Sequence, residues 1–141
     1  MNRITRILLL LLLAMGALIG CTAPAPPEPE QLSWRYSPAQ LRQAAEAGKN
    51  HSRREYVQVG LMLGRAAALC QGVAARDDCS QIVIEALRPD KRKDAVVQPV
   101  FRLFTREGKE TLTLADDPKG NDLYSLTAIT EINRMAGVEG D

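Results

Sequence analysis

The sequence predicts a mainly α fold: a small helical domain carrying a disulfide-stapled helical hairpin, with a possible β-hairpin at 97–115. Three features point there. Ser37-Pro38-Ala39-Gln40 has the form of a helix start, with serine as cap, proline in the first turn and glutamine at the capping-box position. Tyr56, Val59, Leu63, Ala66, Cys70 and Val73 recur at steps of three and four, the spacing of one face of a long helix. Cys70 and Cys79 then bracket a turn that Gly72 opens.

At the N-terminus, Arg3 and Arg6 precede a run of apolar residues from Ile7 to Ile19. A membrane-spanning helix needs about 20 such residues, and this run has the length of a signal-peptide core. Residues 1–20 therefore read as a signal peptide. Leu18-Ile19-Gly20-Cys21 resembles the lipobox of bacterial lipoproteins. The small Gly20 leaves the bond open to a peptidase, and the Cys21 thiol can take a diacylglyceryl group. By that resemblance Cys21 is also acylated on its new amino terminus. Each buried methylene adds about 0.8 kcal/mol, so several acyl chains anchor stably where one binds marginally. Thr22, in place of an aspartate, implies sorting to the periplasmic face of the outer membrane. The bland alternative is a plain secreted protein with a chance cysteine at the cut.

Cleavage before Cys21 leaves 121 residues with 16 basic and 17 acidic side chains. That balance argues against nucleic acid and against a polybasic membrane patch as partners. Residues 21–36 read as the lipidated cysteine and a tether, since Pro24, Pro26, Pro27 and Pro29 favour extended chain and build no core. Trp34 and Tyr36 either pack onto the domain or touch a partner. Residues 37–141 form the single periplasmic domain.

Within it, the first helix carries Leu41, Ala44 and Ala45 inward and stops at Gly48. The second runs from about Ser52 to Gln71; Gly60 and Gly64, four apart on it, would let another helix approach closely. Asp77, Asp78 or Ser80 can cap a third, which buries Ile82, Val83, Ala86 and Leu87 and ends at Pro89. The two cysteines left in the exported chain read as a structural disulfide. A metal site would need further ligands, and His51 is the only histidine. The segment from Val96 to Ala115 fits two structures. Phe101, Leu103, Thr105, Thr111 and Thr113 alternate about Glu107-Gly108, as in a β-hairpin, while Val97, Val100, Phe101 and Phe104 fall at helical spacing. Asp116 to Asn121 is a turn. Asp122 caps a last helix with Leu123, Leu126, Ile129, Ile132 and Met135 inward, before Gly137.

Chemistry is sparse. His51 sits among Lys49, Asn50, Arg53 and Arg54 without a nucleophile or orienting acid nearby in sequence. Asp77-Asp78 and Asp116-Asp117 are accounted for as caps and turns. No glycine-rich phosphate loop, metal-ligand cluster, cofactor motif or small-molecule substrate signature stands out, so the chain reads as not an enzyme.

Ile84-Glu-Ala-Leu87, Gln98-Pro-Val-Phe-Arg-Leu-Phe104, Arg106-Glu-Gly108, Leu112-Thr-Leu-Ala115 and Tyr124-Ser-Leu126 together resemble the QseG (YfhG) outer-membrane lipoproteins. Members of that family continue into a long coiled coil, which has no counterpart before Asp141. The resemblance implies helix for the 96–115 segment. It also implies an adaptor role, in which the domain contacts the periplasmic part of a two-component sensor histidine kinase. Phe101, Phe104 and Tyr124 are then candidates for the contact, against a purely structural packing role for each. The alternatives are a pilotin-like chaperone for a secretin, taking a partner helix in a groove, and a structural envelope lipoprotein without a dedicated client.

Overall fold

Glu30–Tyr36 alternates side chains about the chain, Leu32, Trp34 and Tyr36 to one side and Ser33 and Arg35 to the other, which is the two-residue period of a strand. In the computed structural model, which describes residues 29–72, 79–92 and 95–138, this stretch is β1. The sheet thus begins inside the segment read as tether. β1 is followed by α1 (Pro38–Lys49), α2 (Arg54–Gln71), β2 (Cys79–Arg88), β3 (Val96–Val97), β4 (Val100–Thr105), β5 (Glu110–Ala115), β6 (Tyr124–Ser125) and α3 (Leu126–Met135). Cys21, the signal segment, most of the proline run and Asp77-Asp78 lie outside the described residues. No helix among the described residues is long and apolar enough to cross a membrane.

The mainly α prediction is wrong. β1, β2, β4 and β5 form a four-stranded antiparallel sheet in the order β1-β2-β4-β5, and β3 pairs with β6 in a second, two-stranded one. The third helix expected over Ile82–Leu87 is the central strand β2. Its inner face lies in the core, and Val83 on the outer face is covered as well, so Ile82-Val83-Ile84 run together as apolar residues and mask the alternation. Ile82, Ile84 and Ala86 join the core. Val83 is also buried, on the other face, with Arg35 and Arg102 as its cross-strand neighbours. The helix implied for 96–115 is likewise overturned: β4 and β5 form the hairpin, closing where Gly108 takes φ +81°, a left-handed conformation that disfavours other residues.

The helices expected elsewhere are present, though Met135, expected inward on the last of them, stands exposed. Ser37 caps α1 through a reciprocal box: the Gln40 backbone N–H donates to Ser37 Oγ at 3.1 Å, and the Ser37 N–H donates to Gln40 Oε1 at 2.9 Å. α2 buries Tyr56, Val59, Leu63, Ala66 and Cys70 as the stripe predicts. α3 buries Leu126, Ile129 and Ile132, but its cap is Ser125 and not Asp122, so Leu123 precedes the helix and stands exposed. α1, α2 and α3 contribute to a single core with the inward side chains of β1, β2 and β4, among them Trp34, Tyr36, Ile84, Phe101 and Leu103.

The Cys70–Cys79 disulfide is present, with Cα atoms 5.6 Å apart. It joins the last turn of α2 to the first residue of β2, so it staples a helix to the sheet and not a helical hairpin.

Candidate functional site

Phe101 is 1% exposed, facing the core from β4 between Ile84 and Leu114. Tyr124 is also buried, and its hydroxyl is engaged inside the protein. Phe104 points the opposite way, half-buried on the outer face of the sheet, where the Arg102 guanidinium lies 5.3 Å from its ring centre. The structure therefore does not bring these three aromatics to one surface, and two have almost no area to offer.

The outer face is held by Arg102. Its guanidinium donates to Glu85 on β2 at 2.6 Å and to both carboxylate oxygens of Glu110 on β5 at 2.9 and 2.8 Å. One side chain thereby ties three adjacent strands. Those bonds, with a further one from the Thr113 hydroxyl, hold the Glu110 carboxyl down at about 2.

On the helical side, Asp116 follows β5 with its side chain almost wholly enclosed. Arg65 of α2 binds it through two parallel bonds, Nε to Oδ1 at 2.9 Å and Nη2 to Oδ2 at 3.0 Å. The Tyr124 hydroxyl donates to Asp116 Oδ2 at 2.6 Å and accepts from Arg65 Nη2 at 2.6 Å. Burial, then the bond to Asp116, pushes the Tyr124 hydroxyl well above its usual range. The carboxylate bonds raise Arg65 as well. Read from sequence as a turn residue, Asp116 is in fact the clasp between α2, β5 and β6.

That clasp fixes the turn which follows. Asp117 accepts backbone N–H bonds from Lys119, Asn121 and Asp122 at 3.0, 2.6 and 2.9 Å, and these, Asp122 foremost, hold its carboxyl below the usual range. Gln98 Nε2 donates to the Gly120 carbonyl at 2.6 Å, and the Asp116 N–H to the Pro99 carbonyl at 3.1 Å. Between this turn, the β3–β4 link and the end of β2 runs a groove of about 590 Å³. Ala86 and Val97 line it as buried residues, with Pro89, Pro99 and Pro118 among the rest.

The groove gathers apolar surface. The described residues leave five large apolar side chains exposed, Leu61, Leu87, Val96, Leu123 and Met135. Leu87, Val96 and Leu123 all line this one groove, at 56%, 44% and 52% exposure. Leu61 lines a smaller adjoining one that shares Asp122 and Leu123. Sequence reasoning missed the groove because it placed Leu87 and Leu123 on buried helix faces. The signals that could have found it are Pro89 and the turn cluster, which end regular structure beside both leucines. Among the described residues, no group of three or more His, Cys, Asp or Glu side chains is placed to hold a metal ion.

Comparison with protein-family models, with curated proteins and with solved structures finds no match to this chain.

Proposed function

We propose that the chain is a lipid-anchored, non-enzymatic adaptor of the bacterial envelope, which holds a partner protein through the groove bordered by Leu87, Val96 and Leu123. The observation that carries this is the gathering of three of the five exposed large apolar side chains on one concave surface. Scattered apolar residues are ordinary on a soluble surface, whereas clustered ones mark contact sites. The surrounding structure is tied by the Arg65–Asp116–Tyr124 clasp and the Gln98–Gly120 bond.

The anchor is Cys21, read from the Leu18-Ile19-Gly20-Cys21 lipobox, and the address is the periplasmic face of the outer membrane. The preferred partner is the periplasmic domain of a two-component sensor histidine kinase, by the resemblance of residues 84–126 to the QseG lipoproteins. The pilotin-like alternative rested on a small helical domain with one disulfide, and the four-stranded sheet weakens that ground, as it does the helix that the QseG resemblance implied for 96–115.

Two measurements test the reading. Membrane fractionation should find the wild-type chain in the outer membrane and Cys21→Ser released or mis-sorted. Normal attachment of Cys21→Ser would sink the anchor. The mature chain should also co-purify with a sensor domain encoded nearby, and indifference to every such domain would sink the kinase partner.

A further inference from the structure

Strand β2 is incompletely partnered on one side. Towards β1 its register runs on through Ala86, Leu87 and Arg88, opposite Leu32, Gln31 and Glu30. Towards β4 it stops at Glu85, opposite Val100. The chain ahead of Val100 departs through Gln98-Pro99 to β3, which pairs with β6 and not with β2. Among the described residues, Ala86–Arg88 therefore has no strand partner on its β4 side, where Ala86 is buried and Leu87 stands open. Ala86 and Leu87 line the groove at that place.

Charge adds a second constraint. Among the described residues, Glu85, Asp117 and Asp122 are the charged residues lining the groove, and no lysine or arginine lines it. Glu85 is matched by Arg102. Asp117 is satisfied by backbone N–H groups and stays ionised without a cation. Asp122 makes none of the salt bridges of the described residues.

We propose, building on the adaptor reading, that the groove takes an extended segment of a partner protein in which apolar side chains alternate with lysine or arginine, laid beside β2 at Ala86–Arg88. An open strand edge selects extended backbone and supplies main-chain hydrogen bonds. Leu87, Val96 and Leu123 supply the apolar contact, and Asp117 and Asp122 select the cations. The chain's own proline run is a poor occupant, because Glu28 carries the wrong charge and its four prolines lack the N–H a ladder needs.

The test uses the whole mature chain with Cys21→Ser, so that it stays in solution, and fluorescence anisotropy of labelled, end-blocked hexapeptides. A peptide alternating lysine and valine should bind, and one alternating glutamate and valine should not. Methylating the amide nitrogens along one edge of the lysine peptide should weaken it about tenfold, as should Leu87→Ser or Asp122→Lys in the protein. Met135→Ser, an equally exposed change away from the groove, should leave binding as it was. The proposal is overturned if the lysine peptide fails to bind at millimolar concentration, if the glutamate peptide binds equally, or if Leu87→Ser is silent. Tighter binding of a peptide of residues 22–29 would assign the groove to the chain's own tether. A free-protein dimer that Leu87→Ser dissociates would assign it to a second copy. Either result overturns the proposal. The adaptor reading fails separately: a sensor domain held through another face spares it and sinks the groove, and peptide binding without any envelope partner does the reverse.

Discussion

Replacing Gly60 by alanine sets two effects of opposite sign against each other in one helix. Alanine is favoured over glycine in a helix interior by about 1 kcal/mol, so propensity alone predicts a gain. Packing predicts a loss. A Cβ at Gly60 would sit 2.3 Å from the Lys49 backbone nitrogen, 2.6 Å from the Gly48 carbonyl carbon and 2.8 Å from the Ala45 carbonyl oxygen. All three belong to the backbone of α1, which cannot swing aside as a side chain can. Ordinary contact begins near 3.4 Å, so the two helices must part by about an ångström. That would loosen Leu41, Ala44 and Ala45 from Tyr56, Val59 and Leu63, all buried in the same core. Overpacking of this kind costs about 1–3 kcal/mol, and with rigid atoms on every side the upper end applies. The net expectation is a loss of about 2 kcal/mol, or roughly 10 °C in Tm for a domain of this size. The control is Gly64→Ala, one turn on, whose Cβ meets only the Lys49 side chain, at 3.1 Å from Cε and 3.2 Å from Nζ. That side chain can move, so propensity should win, with a gain of up to about 1 kcal/mol. Urea and thermal unfolding of both variants, with the disulfide intact, decide the matter. Gly60→Ala as stable as the parent, or Gly64→Ala as damaging as Gly60→Ala, would refute the close backbone approach of α1 and α2.

The remaining predictions concern the staples. The double variant Cys70→Ser/Cys79→Ser should lose roughly 2.5 kcal/mol in the chain-entropy model for so short a loop, read by urea unfolding, and the parent should show no free thiol at these positions when labelled without reduction. Tyr124→Phe should cost about 1 kcal/mol and Asp116→Ala about 2–3, because the carboxylate also holds Arg65 through charged bonds; equal losses would mean that the Arg65 pair contributes nothing. Glu110 has a folded value of about 2 against an ordinary 4.5, so its contribution is present above pH 4.5 and is lost as the pH falls towards 2. Glu110→Gln should flatten the acid limb of the stability profile there, and more salt should shrink the difference, since the pair is near the surface.

What could be read from the sequence follows from what each element borders. α1 and α2 were legible because each exposes one side, so caps and a three-and-four period survive in the residue pattern. β2 was not, because Val83 on its outer face is apolar and buried like Ile82 and Ile84 on the inner one, which blurs the alternation that identifies a strand. Ile82-Val83-Ile84 then fits either period, and only its β-branched content argued for strand. The β4–β5 hairpin was legible in Phe101, Leu103 and Thr105, all buried on one side, with Arg102 and Phe104 on the other. The family resemblance weighed against that correct signal. β1 carried the clean alternation of Leu32, Trp34 and Tyr36, but its nearness to four prolines drew it into the tether. The groove had only indirect local signals, Pro89 and the turn cluster after β5. Its parts come from β2, the β3–β4 link and the turn after β5, and only the path of the chain around Pro99 brings them together.

The earlier start of the fold changes what a lipid anchor at Cys21 could do. With Glu30 already paired to Arg88 in the sheet, the tether shortens from the expected 21–36 to the eight residues 22–29. At about 3.3–3.6 Å per extended residue, that chain reaches no more than roughly 30 Å. The strand it feeds enters the sheet beside the groove, since Gln31 lines it along with Leu87 and Pro89. If Cys21 carries lipid, the groove is confined to a shell of that depth above the membrane. A partner rooted in the opposite membrane must then bring its own extended segment to this surface, because the tether is too short to carry the domain across to it. An extended, basic-apolar arm would meet that need, and it is also the backbone shape and charge proposed above for the half-open edge of β2.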